Sequence, residues 1–276
     1  MSSDRVKPLW LVNGLETGVD PSDRGLAYGD GLFETMAAAN GHIRWLDHHL
    51  DRLADGCARL AIPAPDPSHI REEIRVRCPR NGRAVVKLIV TRGPGARGYA
   101  PPPDAKPTRI LSISAWPSYP PENYSAGVRV KVCGLRLAEA PHLAGIKHLC
   151  RLEQVLAELE LGPGEHGLVL DTSARVIGGT RSNVFAVRDG RLLTPALDRC
   201  GIRGVMRRVV LETSAAVGLP AEERDLTLDD LRSAAELFMT NSLFGIWPIA
   251  ELDARRVEPG PVARELMKRL GIGADA

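Results

Sequence analysis

The clearest periodicity in the chain begins at Leu149. Leu149, Leu152, Val155, Leu156 and Leu159 recur at three- and four-residue spacing, which predicts an amphipathic helix with one buried stripe. Lys147 falls just before that helix or in its first turn, away from the stripe. By periodicity alone it is a solvated surface lysine. Upstream, "LWLVNG" predicts a strand. "LFETMAAANGHIRWL" sets Asn40-Gly41 between two apolar runs, a tight-hairpin signal because both residues tolerate positive φ. Helical spacing follows over 46–60 and 68–77, and the β-branched and aliphatic runs "AVVKLIVTRG" and "TRILSISAW" predict strands.

The Pro-rich "WPSYPPENYSAG" then marks a boundary, with an N-terminal domain over 1–117, a linker over 118–124 and a C-terminal domain over 125–276. In the second domain, strands are expected at "VRVKVCGLRL", "HGLVLD" and "ARVIGG", and a hairpin at Asp189-Gly190. Helices are expected near 203–217 and at "LTLDDLRSAAEL", where Thr227 and Asp230 have capping-box spacing. A strand through "ELFMTNSLFGIWPI" leads to a last helix that Pro261 opens and Gly271 closes. Clustered hairpins with helices among them indicate an α+β fold of two domains and exclude a regular βαβ array.

Composition narrows the function. Among 276 residues, 36 Lys+Arg against 34 Asp+Glu leave a net charge of +2, with no basic block to track a phosphate backbone, so nucleic acid is not an expected partner. Cys57, Cys78, Cys133, Cys150 and Cys200 are odd in number and lack CxxC spacing, as expected of reduced thiols in a cytoplasmic protein. No metal-ligand spacing accompanies the adjacent pair His48 and His49, which reads as helix surface or packing. No apolar run is long enough to span a bilayer, so no membrane role is expected.

"GPGARG" at residues 93–98 matches GxGxxG and follows a predicted strand. A dinucleotide site also needs a helix to start there, and "YAPPPDAKP" forbids one, because three consecutive prolines donate no backbone hydrogen bonds. The stretch reads instead as a mobile loop presenting Arg92, Arg97 and Tyr99 to an anion, or as a plain solvated turn.

"DRGLAYGDGLFET", "HHLDRL", "VTRGPGARGY", "HLAGIKHLCRLEQV", "SNVFAV" and "GIRGVMRR" occur in an order that resembles the fold-type IV pyridoxal-phosphate enzymes. The segment around Lys147 is similar to that of the aminodeoxychorismate lyases within this family. The resemblance spans nearly the whole chain and implies a two-domain architecture like that of D-amino-acid aminotransferase. It further implies the cofactor pyridoxal 5'-phosphate, a small-molecule substrate and a homodimer. The implied reaction converts 4-amino-4-deoxychorismate to 4-aminobenzoate and pyruvate.

By the same resemblance, Lys147 is the catalytic lysine that carries the cofactor. Arg52 matches the arginine that binds the cofactor phosphate. The backbone amides of Val205 and Met206 match a phosphate cup at a helix start, and Asn241 and Ser242 match further phosphate-side contacts. Tyr28, Phe33, Arg92, Arg97 and Tyr99 map near the substrate pocket. One position departs: the family usually has a glutamate five residues before the Asn of "SNVF", where it keeps the pyridine nitrogen protonated, and here Gly178 stands there. The rival readings are an aminotransferase on the same scaffold and a weakly active relative that binds the cofactor.

Overall fold

The computed structural model describes residues 9–273. The chain divides into two compact units, one running through Pro117 with Ile146–Cys150 added, the other comprising Ser118–Gly145 and the residues from Arg151 onward.

In the first unit, the strands β1 (Leu9–Val12), β2 (Gly31–Ala39), β3 (His42–Ile43), β4 (Arg83–Thr91) and β5 (Thr108–Ala115) form an antiparallel sheet in the order β1-β5-β4-β2-β3. In β4, Ala84, Val86, Leu88 and Val90 are buried while the residues between them are only partly so, the two-residue period of a strand with one core face. Asn40 and Gly41 turn β2 into β3 with both φ values positive. The helices are α1 (Arg24–Tyr28), α2 (Leu46–Arg59) and α3 (Pro67–Arg77). α2 lies close on the sheet because Gly56 faces Leu32, and a Cβ there would come within 2.9 Å of the leucine methyls.

The second unit contains α4 (Glu122–Ser125), β6 (Val128–Leu137), α5 (Leu152–Glu158), β7 (Glu165–Asp171), β8 (Val176–Gly179), β9 (Asn183–Arg188) and β10 (Arg191–Pro195). It continues through α6 (Val205–Ser214), β11 (Ala221–Arg224), α7 (Leu228–Arg232), β12 (Glu236–Asn241), β13 (Gly245–Leu252), β14 (Arg255–Arg256) and α8 (Pro261–Arg269). Its mixed sheet has the order β11-β10-β9-β12-β13-β6-β7-β8, with β14 beside β13. At the centre Phe185 and Phe238 are cross-strand partners with stacked rings 5.0 Å apart. Thr227 and Asp230 form the expected capping box on α7. The start of α8 is capped from elsewhere: Gly260 has no side chain to offer, and the buried Glu236 carboxylate accepts from Val262 N–H at 3.0 Å and Ala263 N–H at 2.6 Å.

Four expectations need correction. "ELFMTNSLFGIWPI" is a hairpin, β12 and β13, because the Asn241 side chain accepts from the Leu243 and Phe244 amides and Gly245 takes φ +76°. The expected linker 118–124 is folded structure within the second unit, where the Tyr119 and Tyr124 rings meet Trp247 edge-on. Lys147 does not join the C-terminal domain: its segment is paired to the start of β2, with Phe33 N–H donating to the Lys147 carbonyl and Leu149 N–H to the Gly31 carbonyl. The apolar stripe after it is not buried either. Leu152, Val155, Leu156 and Leu159 are 53–77% exposed, and α5 contributes only the small Ala157 to the core with Cys133 and Val169.

Candidate active site

In the first unit the site residues gather around the start of β2. Its pairing with residues 147–149 holds Lys147 in an extended segment, well before α5 begins at Leu152. The Lys147 ammonium lies 4.1 Å from the centre of the Phe33 ring, a cation–π distance. Two residues named from the sequence are thus brought together.

Glu34, the next residue, points into the interior. Its carboxylate accepts from Arg52 Nε at 2.8 Å and from Arg52 Nη2, and pairs with His49 Nδ1 at 2.6 Å. Glu34 and His49 are essentially inaccessible to solvent, and Arg52 retains only a small exposed fraction. Burial pushes the Glu34 carboxyl up, but the Arg52 charge and the His49 hydrogen bond outweigh it and bring the pKa down to about 2. Burial lowers the His49 pKa, against the pull of Glu34 and with help from the Arg52 and Lys147 charges. A neutral His49 donating from Nδ1 leaves Nε2 as a buried acceptor with no hydrogen-bond partner. Sequence reasoning named Arg52 and left Glu34 and His49 out. Their signal, an acid on β2 and a histidine one turn before Arg52 on α2, means nothing until strand and helix are in register.

The loop after β4 separates its two arginines. Arg92 is buried: its guanidinium takes both oxygens of Asp30, at 2.7 and 3.0 Å, and donates to the Leu60 and Ala61 carbonyls at 2.8 Å, closing the end of α2. It is therefore not available to a substrate, which corrects its assignment to the pocket. Arg97 and Tyr99 are exposed. The buried Arg24 anchors their loop, donating to the carbonyls of Gly98, Tyr99 and Ala100 while its Nε holds Asp30. Burial raises the Asp30 pKa, and the two arginines more than reverse that. Tyr28 closes the group: its hydroxyl accepts from Gly98 N–H at 3.2 Å, and its ring meets that of Tyr99 edge-on at 5.4 Å. No helix follows Gly98, so the GxGxxG match has no dinucleotide context.

In the second unit the sequence-named amides lie at the start of α6. Gly204 is its N-cap and offers no side chain, so the amides of Val205 and Met206 open the first turn without a cap. Thr240 is buried, and its hydroxyl has no hydrogen-bond partner. Uncapped amides and an orphaned hydroxyl are donors of the kind a phosphate requires, so these residues fit the phosphate end of pyridoxal phosphate. Ser242 lies in the β12–β13 turn, and the Asn241 side chain is engaged by that turn. Gly178 has φ +155°, and a Cβ there would stand 2.9 Å from the Ser182 carbonyl oxygen. Among the described residues no cluster could hold a metal ion, and no helix is long and apolar enough to cross a membrane.

Residues 31–252 match the family model Amino-transferase class IV. The chain is 36% identical to an aminodeoxychorismate lyase of Vibrio harveyi, covering 89% of this chain and 92% of that one. It is 33% identical to a putative branched-chain-amino-acid aminotransferase of Methanocaldococcus jannaschii, over 94% and 91% of the two chains. Among solved structures, it matches 4-amino-4-deoxychorismate lyase from Pseudomonas aeruginosa at 49% identity with a TM-score of 0.91, over 95% of this chain and 98% of that one.

Proposed function

The chain belongs to the amino-transferase class IV family, and from that membership we propose that it is a pyridoxal-phosphate-dependent lyase converting 4-amino-4-deoxychorismate to 4-aminobenzoate and pyruvate. The observation that supports the lyase over an aminotransferase is the 49% identity, over nearly the full length, to a 4-amino-4-deoxychorismate lyase of the same fold.

Bound pyridoxal phosphate supplies an electron-poor ring that stabilises negative charge at the substrate carbon joined to it. Lys147 Nζ would hold the cofactor and, as a free amine, would take the proton from the substrate ring carbon that bears the amine. The adjacent C–O bond then breaks, its electron pair leaves with the enolpyruvyl group, which is protonated to pyruvate, and the ring becomes aromatic. Phe33, whose ring centre lies 4.1 Å from Nζ, limits where the amine reaches. The Val205 and Met206 amides receive the phosphate, with Arg52, Asn241 and Ser242 as its further contacts. Arg97, with Tyr28 and Tyr99 beside it, receives a substrate carboxylate.

The exposed leucines and valine of α5 and its C-terminal end support a homodimer in which a second copy covers them. Five free thiols, four of them buried, support a reducing, cytoplasmic setting.

The test is incubation of the purified protein with 4-amino-4-deoxychorismate in the absence of any keto acid. Equal amounts of 4-aminobenzoate and pyruvate are expected. Accumulation of pyridoxamine phosphate, with turnover restored only by a keto acid, identifies an aminotransferase instead. Borohydride reduction and peptide mapping should find the pyridoxyl group on Lys147, and label on Lys87 or Lys131 overturns the site.

A further inference from the structure

Asn183 opens β9 and is 7% exposed, and its carboxamide spans the turn that enters α6. Its Nδ2 donates to the Ile202 carbonyl at 2.8 Å, and its Oδ1 accepts from the Gly204 N–H at 3.1 Å. The other edge of the turn is bonded to Gly145, whose N–H donates to the Gly201 carbonyl at 2.9 Å and whose carbonyl accepts from the Arg203 N–H at 3.0 Å. Backbone groups of residues 201 to 204 are thus held alternately from two sides. The approach is close: a Cβ on Gly204 would stand 2.1 Å from Asn183 Oδ1, so a side chain there would push the carboxamide out of place. Thr240 is the cross-strand partner of Asn183, so the two side chains share a face of the sheet, and the orphaned Thr240 hydroxyl lies on the face that Asn183 turns toward α6.

We propose that Asn183 is a positioning residue whose carboxamide aims the first-turn amides of α6 at the phosphate of the cofactor. The inference rests on the reading that α6 receives that phosphate. A carboxamide suits the task because it places one donor and one acceptor in a single plane. Alanine would strip both backbone groups of their partners, and a carboxylate would set an acceptor against the Ile202 carbonyl. Asn183 itself touches no reacting atom, so its loss falls on phosphate recognition.

The experiment titrates the full-length chain, freed of cofactor by dialysis, with pyridoxal phosphate and separately with pyridoxal, following absorbance. The dissociation constant of pyridoxal divided by that of pyridoxal phosphate isolates the contribution of the phosphate. Asn183→Ala is expected to lower that ratio by about tenfold, the scale of one or two hydrogen bonds. Gly204→Ala, which obstructs the same clamp from the other side, should act alike and serves if Asn183→Ala does not fold. Phe185→Leu, a core change in the same strand, should lower the Tm and leave the ratio unaltered. A ratio unchanged in Asn183→Ala and Gly204→Ala while the Tm falls as in Phe185→Leu makes the role merely structural and overturns the proposal. Equal affinity of the unmutated chain for pyridoxal and pyridoxal phosphate instead removes the underlying reading of α6.

Discussion

Glu34, His49 and Arg52 place a carboxylate, an imidazole and a guanidinium together inside the first unit, whereas the start of α6 in the second is built from backbone amides and one carboxamide. Arg52 of the first group and the amides of the second are each proposed as phosphate contacts, yet the two groups are stabilised in opposite ways. Ionised side chains in the interior lose their hydration and persist only while each keeps its partner, so they are sensitive to substitution and to pH. Amides at a helix start carry partial charge at every pH and need only to be aimed. The ionic group should therefore fail first in acid and fail hardest when one member is removed, and the amide group should respond to geometry alone.

The largest effect is expected for Arg52→Ala, which leaves Glu34 buried without its main cation and should cost about 3–5 kcal/mol in urea unfolding. The double change Glu34→Leu with Arg52→Met should recover most of that loss. If the single variant unfolds at the unmutated midpoint, the network is not what holds α2 to β2. Any loss of cofactor retention in Arg52→Ala has to be compared with the double variant, because instability alone could cause it.

Acid is the next test. The Glu34 pKa is depressed to about 2, so its contribution is fully present above the unfolded carboxyl value of 4.5 and is lost as pH falls toward 2. The loss is on the order of 3 kcal/mol. His49 acts in the same direction: its pKa is lowered by burial, so below 6.5 the unfolded chain takes up the proton first. Unfolding free energy measured from pH 7 to pH 3 should slope downward in the unmutated chain, and below pH 4.5 the slope should be shallower in Glu34→Gln.

The two loop arginines should part company. Arg92→Ala should cost about 2–3 kcal/mol through the lost Asp30 pair and the uncapped carbonyls of α2. Arg97→Ala should stay within about 0.5 kcal/mol of the unmutated stability while raising the substrate KM. A raised KM with unchanged stability in Arg92→Ala would return it to the substrate.

The last comparison is at Gly178. Its φ of +155° and the nearby Ser182 oxygen make Gly178→Ala cost about 1–3 kcal/mol. Gly178→Glu bears the same strain, so restoring an acid there must be judged against the alanine variant. We expect any gain to favour amino transfer over the lyase reaction, because transamination has to store charge in the cofactor. A larger gain in lyase turnover would contradict this.

Much of the local structure was legible from the residues. Asn40-Gly41 and Asp189-Gly190 take positive φ as their turn chemistry requires, and Thr227 and Asp230 cap α7 through side chains three residues apart. Lys147 was legible only by resemblance, since periodicity describes how a helix packs and Lys147 lies outside any helix. The helical spacing that follows it was genuine, but spacing does not say what covers an apolar face, and here the chain's own core takes only Ala157.

The sequence by itself determined the Asn40-Gly41 and Asp189-Gly190 turns, the capping box of α7 and the alternation of β4, because backbone sterics and short-range hydrogen bonds act within a few residues. Tertiary structure decided which charged and polar residues became partners. Arg52 and Glu34 are 18 positions apart, Gly204 and Asn183 are 21 apart, and Arg92 and Asp30 are 62 apart. Arg92 and Arg97 are the same residue type in one loop, and what separates them is Asp30 and the end of α2, brought to Arg92 by the folding of the first sheet and withheld from Arg97. A pattern read over one or two turns of chain has no access to such distances. The roles of these side chains exist only once the strands and helices that bear them have packed.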